Sequence, residues 1–526
     1  MSESRRQLSK FAATFAGGTM ISRVTGLARD IAIAGLIPPV SREAFIVAFR
    51  LPNMLRDLVG EGASNAAFIP VLSEILEKDG DEAFREAVSA MMSAVLMLLA
   101  VISILGVVFV PLIFHVMDAL RSIAGTRNVT PQDMDLMVSL TRWIFPYIFF
   151  IGMTVFTMGP LFIMRHYSTP SWSPALLNIC LIAACLPFRN LFPDPAYALV
   201  VGVWLGGISQ MLVQHMALIK HAKVWAPNFH LRHPGIRVAG VLLLPVLLGQ
   251  AAGEVNKLVD TLFAVSLGQG PVTALFYANR LIQLPLSIFG LAISAAILPS
   301  ISRAAVRQDF TDVRETLKHG LRQSYFLICP ALVGLILMAD PIVSLLFQRG
   351  EFDAADTART ATATVFYAGG LLFFAWVKIA VAGFYAVKNT RTPVTIASLS
   401  MILNIVLCFA LVRPMGFRGL ALATTISYSV NFLLLYILLG RRFGSLWDRE
   451  FVFGLARVTV ATAAMGFMVH LAYAETHAYF SGSGLLARLM CVALPLSFAG
   501  TGYLAACAIL RVPDVRMFLS LIKRGK

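Results

Sequence analysis

Charge is what this sequence has least of. Only 13% of its 526 residues are Asp, Glu, Lys or Arg, while 58% are apolar; soluble domains carry roughly 25% charged residues. That excludes a water-soluble chain. Cysteine is sparse too. Cys180, Cys185, Cys329, Cys408, Cys491 and Cys507 all lie in apolar runs, and none pairs with a histidine at metal-ligand spacing, so they read as small core residues and not as a disulfide framework or zinc site. Absent altogether are a Gly-x-x-x-x-Gly-Lys-Ser/Thr phosphate loop, a His-Glu-x-x-His pair and a polar stretch long enough to fold as a nucleotide-binding domain. Neither ATP-driven nor covalent chemistry is legible. The chain reads as no enzyme, with no cofactor of its own.

What it has instead is apolar runs of about twenty residues, the length that crosses about 30 Å of hydrocarbon. Met91–Phe114 and Val394–Val412 are examples, as is Val238–Leu248 continuing to Leu267. Fourteen such segments are expected, at 11–36, 43–73, 87–113, 136–163, 172–188, 196–219, 238–267, 272–302, 323–347, 360–386, 392–412, 419–440, 450–473 and 489–510. The fold class is therefore all-α, a polytopic membrane protein. Several segments contain Gly17-Gly18, Pro52 or Pro285, and a broken spanning helix is tolerated only where its freed backbone groups meet protein or water.

The formal charge of +15 does not indicate nucleic acid, because the basic residues punctuate loops instead of lining one arm or groove. With both termini on one side, the segments on that side carry 25 Lys and Arg and the opposite loops 9, which predicts cytoplasmic termini. Most of the nine histidines lie in or beside loops, with His215, His221, His230 and His233 around the long inside loop; pairing with headgroups is the plain expectation for them.

The chain also contains its own copy. Phe49-Arg50-Leu51 and Ala66-Ala67-Phe68-Ile69-Pro70 reappear as Asn279-Arg280-Leu281 and Ala295-Ala296-Ile297-Leu298-Pro299. Leu176-Leu177-Asn178-Ile179 is echoed by Ile402-Leu403-Asn404-Ile405, and Arg29-Asp30 faces Val259-Asp260. Two six-helix copies in one orientation imply a pseudo-two-fold axis along the membrane normal, with a cargo path between the lobes. The expected division is an N-lobe over 1–225, a C-lobe over 226–445, and an added helix pair with a cytoplasmic tail over 446–526.

Nine basic residues fall inside expected spans: Arg23, Arg29, Arg50, Arg56, Arg142, Lys257, Arg280, Lys378 and Arg457. Each costs about 2.5–3.5 kcal/mol at a helix centre, so intramembrane charges are functional candidates. Arg142 and Arg457 lie near span ends and read as snorkelling side chains. Arg23 and Arg29 are six apart, as are Arg50 and Arg56, a spacing of about 240° on a regular helix. Either the helices unwind, or one arginine of each pair binds cargo while the other meets an acid. Asp30, Glu43, Asp57, Glu61, Glu254 and Asp260 are the acids at hand, and internal salt bridging alone is the plain alternative. A surplus of arginine predicts an anionic cargo such as a diphosphate, because the guanidinium fork binds phosphate oxygens in pairs and stays protonated. Asp260, Asn404 and Thr424 could together hold Na⁺ or a proton, although an Asn in a span is more often a helix-packing residue.

These residues carry a resemblance. Ser22-Arg23-Val24-Thr25-Gly26-Leu27-Ala28-Arg29-Asp30, the run Ala44 to Arg56 with Leu51-Pro52-Asn53, and Gly60-Glu61-Gly62-Ala63 resemble the opening of the MurJ/MviN lipid II flippases. Tyr277-Ala278-Asn279-Arg280-Leu281, Phe347-Gln348-Arg349-Gly350-Glu351-Phe352 and Gly383-Phe384-Tyr385 before Thr392-Pro393 extend it, from about residue 10 to 445. The resemblance implies membership of the multidrug/oligosaccharidyl-lipid/polysaccharide exporter superfamily. It implies alternating access in the bacterial inner membrane, with lipid II, the undecaprenyl-diphosphate-linked peptidoglycan precursor, moved from the inner to the outer leaflet for cell-wall biogenesis. The diphosphate-binding residues would fall on Arg23, Arg29, Arg56 and Arg280, with Glu61 and Asn53 beside them. A sodium site known in some members would fall on Asp260, Asn404 and Thr424, but Cys408 stands where that pattern has an acid. Membrane lipids and cell-wall synthesis proteins are the further partners expected. The competing expectations are an ion-coupled drug exporter, for which carboxylates should face the cavity, an exporter of another lipid-linked oligosaccharide, and a non-transporting envelope scaffold.

Overall fold

The computed structural model describes residues 3–60, 63–124, 130–480, 482 and 484–515. These residues are helical throughout, with short connections, and contain no strand. They group into two compact units, Met1–Val272 with Arg349–Phe352, and Thr273–Gln348 with Asp353–Lys526. The helix after residue 233 falls in the first unit because it packs on the helices that begin at Pro39 and Ala63.

The first unit contains α1 (Glu3–Leu36), α2 (Pro39–Gly60), α3 (Ala63–Ala124), α4 (Pro131–Ile144), α5 (Tyr147–Ile163), α6 (Ser168–Trp172), α7 (Pro174–Cys185), α8 (Ala196–Ala222) and α9 (Pro234–Ser266). Helix starts follow local chemistry. Thr130 caps α4 by accepting from the Asp133 amide at 3.2 Å, with Pro131 in the first turn, where its missing N–H costs nothing. α3 is two helices joined at Gly80, whose φ of 84° only glycine adopts readily. The expected second span is consequently α2 plus the start of α3. α1 packs on α6 and α7, α9 on α2 and α3, and α5 on α3 and α8. α7 and α8 approach closely because Gly202 and Gly206 leave the room: a Cβ on Gly206 would stand 2.8 Å from the Leu177 backbone. Small residues four apart are a common membrane packing device.

The second unit contains α10 (Pro271–Pro285), a π-helical turn (Leu286–Leu291), α11 (Ala292–Val306), α12 (Phe310–Leu337), α13 (Ala339–Phe347), α14 (Ala354–Ala368), α15 (Leu371–Ala386), α16 (Arg391–Met415), α17 (Phe417–Phe443), α18 (Arg449–Tyr479) and α19 (Leu485–Ile509). The π turn sits between the repeated motifs at Arg280 and Pro299. One apolar core joins α11, α12, α15 and α17 through Ile297, Leu317, Ile379 and Leu435. A second joins α12 to the added pair α18 and α19 through Phe326, Val458, Met465 and Tyr503. That pair is therefore a packed part of the second unit, further tied to α12 where Lys318 bridges Glu315 and Asp448.

Among the described residues, eight helices are long and apolar enough to span a membrane, and ten if the bent pairs α4–α5 and α14–α15 each count once. These ten coincide with expected segments. The other four are α1, α2, α7 and α9. Three of these are 34, 22 and 33 residues long, sufficient for about 30 Å at 1.5 Å per residue, and they are less apolar because they carry the charges. α7 has only 12 residues, shorter than the segment expected at 172–188.

Residues Arg349–Phe352 pack on the α1–α2 corner. The Glu351 amide donates to the Gly35 carbonyl at 3.1 Å, and Gly350 has φ of 54° with a Cβ position 2.0 Å from the Gly35 oxygen. Replacing Gly350 by Ala should therefore cost at least about 2 kcal/mol, through left-handed strain and overlap with backbone. The check is a lowered unfolding temperature in detergent, with Gly440→Ala, which faces open space on α17, leaving it unchanged or raised.

Candidate substrate-binding residues

The two arginines of α1 have different surroundings. Arg23 is exposed and Arg29 is buried, as their angular separation requires. Arg29 Nε and one terminal nitrogen donate to Asp30 Oδ1 at 3.0 and 2.6 Å, and the other terminal nitrogen donates to Asn178 Oδ1 at 3.0 Å. Asn178 on α7 turns its own amide N–H groups to the Ser22 carbonyl at 3.1 Å and the Thr25 hydroxyl at 3.2 Å. One side chain thus fixes both the helix pair and the guanidinium. Three of the five N–H donors of Arg29 are used in these bonds, so two stay free for a ligand. Its charge is matched by Asp30, so this pair adds no net charge.

On α2, Arg50, Asn53 and Arg56 are all half-buried. The side chain of Asp57 and the whole of Glu61 lie outside the described residues. In the second unit Arg280 is half-buried on α10, its guanidinium 5.0 Å from the centroid of the Phe276 ring, an arrangement that stabilises a cation away from water. Of the remaining basic candidates, Lys257 pairs with Glu254 one turn away on α9. Lys378, Arg142 and Arg457 are exposed, and Arg457 reaches the Arg511 carbonyl at 3.5 Å.

Sequence reasoning missed Arg42, which it assigned to a loop. Arg42 lies in the first turns of α2, has 0% exposure, donates to the Ala34 carbonyl at 2.9 Å and stacks 5.1 Å from the Phe352 ring centroid. The available signal was Pro39, a favoured residue for the first turn of a helix. Started there, α2 takes in Arg42 and Glu43, and Glu43 is also buried.

Of the three residues expected to hold a cation, Asn404 and Thr424 are hydrogen-bonded to each other. Asp260 belongs to the first unit, while Asn404 and Thr424 belong to the second. The Asn404 amide nitrogen donates to Thr424 at 3.3 Å and Ser427 at 3.4 Å, and its oxygen accepts from the Cys408 thiol at 3.5 Å. Both hydroxyls give their own protons to backbone carbonyls of α17, so their lone pairs call for a donor, which fixes the amide orientation. Set this way, Asn404 and Thr424 form a helix-packing pair.

Comparison with known proteins gives a consistent result. The family model described as "Lipid II flippase MurJ" matches residues 40–490. A lipid II flippase of Burkholderia cenocepacia is 35% identical over 435 residues, covering 82% of this chain and 83% of the relative. A probable lipid II flippase of Vibrio cholerae is 31% identical over 94% of both chains. Among solved structures, one described as a lipid II flippase in an inward closed conformation superposes with a TM-score of 0.76 at 23% identity, covering 93% of this chain and 98% of that one. An inward-facing multidrug transporter of the MATE family superposes at 0.67 with 16% identity, covering 83% of this chain and 98% of that one.

The Arg29 network makes a direct prediction. Asp30→Asn leaves a buried guanidinium without its counter-charge and should cost about 3–5 kcal/mol. Asn178→Ala removes an acceptor and a donor together and should cost about 1–3 kcal/mol. Thermal unfolding of the purified variants checks both; equal stability of Asp30→Asn and the parent would contradict the network.

Proposed function

The chain belongs to the lipid II flippase MurJ family, a family of inner-membrane transporters and not enzymes, and on that premise we propose how it handles its cargo. It carries lipid II from the inner to the outer leaflet by alternating access, its termini on the cytoplasmic face. Arg23, Arg56 and Arg280 neutralise the diphosphate, with Arg29, Asn53 and Glu61 alongside. The observation that carries this division of labour is the Arg29–Asp30–Asn178 network. Arg29 is already balanced and oriented, so it contributes directed N–H donors with no surplus charge. Arg23, Arg56 and Arg280 add three further guanidinium groups of the kind that meets phosphate oxygens in pairs.

The chemistry suits the cargo. A diphosphate offers several acceptor oxygens, and a planar guanidinium meets two at a time. An arginine remains charged when desolvated, where a lysine sheds its proton more readily. A drug exporter of the same superfamily would draw on carboxylates, whereas Asp30 on α1 is paired with Arg29.

Complementation of a flippase-depleted strain tests this. Arg23→Ala, Arg56→Ala and Arg280→Ala should each lower outer-leaflet lipid II at least about tenfold, one such charge-assisted contact being worth about 1.5–3 kcal/mol. Full viability of all three at normal expression would overturn the proposal and favour a scaffold.

A further inference from the structure

The connection from α8 to α9, residues 223–233, is held tightly yet presents apolar side chains outward. Trp225, Phe229 and Leu231 are 73%, 58% and 43% exposed. Five bonds hold the loop in place. Ser89 donates to the Ala226 carbonyl at 2.8 Å, the Phe229 amide donates to Ser93 at 2.9 Å, and Asn228 donates to the Glu86 carbonyl at 3.3 Å. His215 and the Trp225 carbonyl are 3.1 Å apart, and His230 and the Glu86 carboxylate 3.3 Å. Val224 is buried beneath. Phe229 has φ of 55°, a conformation that costs a bulky residue of order 1 kcal/mol, so the anchoring bonds maintain strain in order to hold a phenyl ring outward.

Position and charge identify what covers this surface. α8 is an apolar span of 27 residues that ends at Ala222, and Pro234–Leu244 is apolar again, so the loop emerges from and returns to the bilayer within eleven residues. From Lys220 to Arg237 there are four basic residues and no acid. The acid that reaches the loop, Glu86, is engaged by His230. Tryptophan prefers the headgroup level of a bilayer, and each Lys or Arg near an anionic surface adds about 1 kcal/mol of attraction.

We propose that residues 223–233 form an interfacial anchor: Trp225, Phe229 and Leu231 enter the boundary between headgroups and acyl chains, and Lys220, Lys223 and Arg232 bind anionic phospholipid headgroups. This requires only that α8 and α9 span the membrane, and its test does not use transport, so it can fail without the flippase reading failing.

The full-length protein is reconstituted in phosphatidylcholine vesicles, with or without about one-fifth phosphatidylglycerol, using acyl-brominated lipids; the difference from Trp225→Phe isolates the Trp225 fluorescence. The anchor predicts quenching by brominated lipid, protection from aqueous iodide, and stronger lipid quenching with phosphatidylglycerol. The triple variant Lys220→Gln, Lys223→Gln, Arg232→Gln changes only exposed side chains and should lose that anionic increment, at least about twofold, given the attraction each cation contributes. Quenching of Trp225 by iodide but not by brominated lipid would overturn the proposal, as would a full anionic increment in the triple variant.

Discussion

A guanidinium inside an apolar bundle must be answered by the protein around it, and much of the first unit's architecture follows from that demand. Leaving such a charge unanswered at membrane depth costs about 2.5–3.5 kcal/mol on insertion scales. Arg29 is answered by Asp30 beside it and by Asn178 across the α1–α7 interface. Asn178 in turn bonds the Ser22 carbonyl and Thr25, so the residue that neutralises isolation also sets helix register. Arg42 is answered by a backbone carbonyl and an aromatic face. These contacts hold α1 and α2, the least apolar of the long helices, in place without the greasy surface that seats their neighbours.

The same demand separates two uses of arginine. A guanidinium whose carboxylate sits next to it is a rigid donor array without net charge. Arg23 is exposed and Arg56 and Arg280 are half-buried. A transporter of a lipid-linked diphosphate needs both kinds: fixed donors to set orientation, and charge to compensate desolvation of the headgroup. In the second unit the amide that matches Asn178 in the repeat, Asn404, bonds Thr424 and Ser427.

Much of this was legible in the chain. Long apolar runs are set by bilayer thickness, so the segments they mark return as helices. Arg29 was legible because Asp30 is its neighbour, yet its partner Asn178, 149 positions away, appeared in sequence only as part of the repeat. Arg42 was misassigned because it stands next to two prolines; Pro38-Pro39 reads as a loop but opens α2. That α9 packs on α2 and α3 is a tertiary contact, and tertiary packing leaves no trace in periodicity.

The central claim is that arginine charge recognises the diphosphate. The most direct measurement is equilibrium binding of a polyprenyl diphosphate, the matching monophosphate and the neutral alcohol to the purified protein in detergent. The account predicts the order diphosphate, monophosphate, alcohol, and a collapse of that order when Arg23, Arg56 and Arg280 are together replaced by Gln. Equal affinity for all three lipids in the parent, or an unchanged preference in the triple variant, would contradict it.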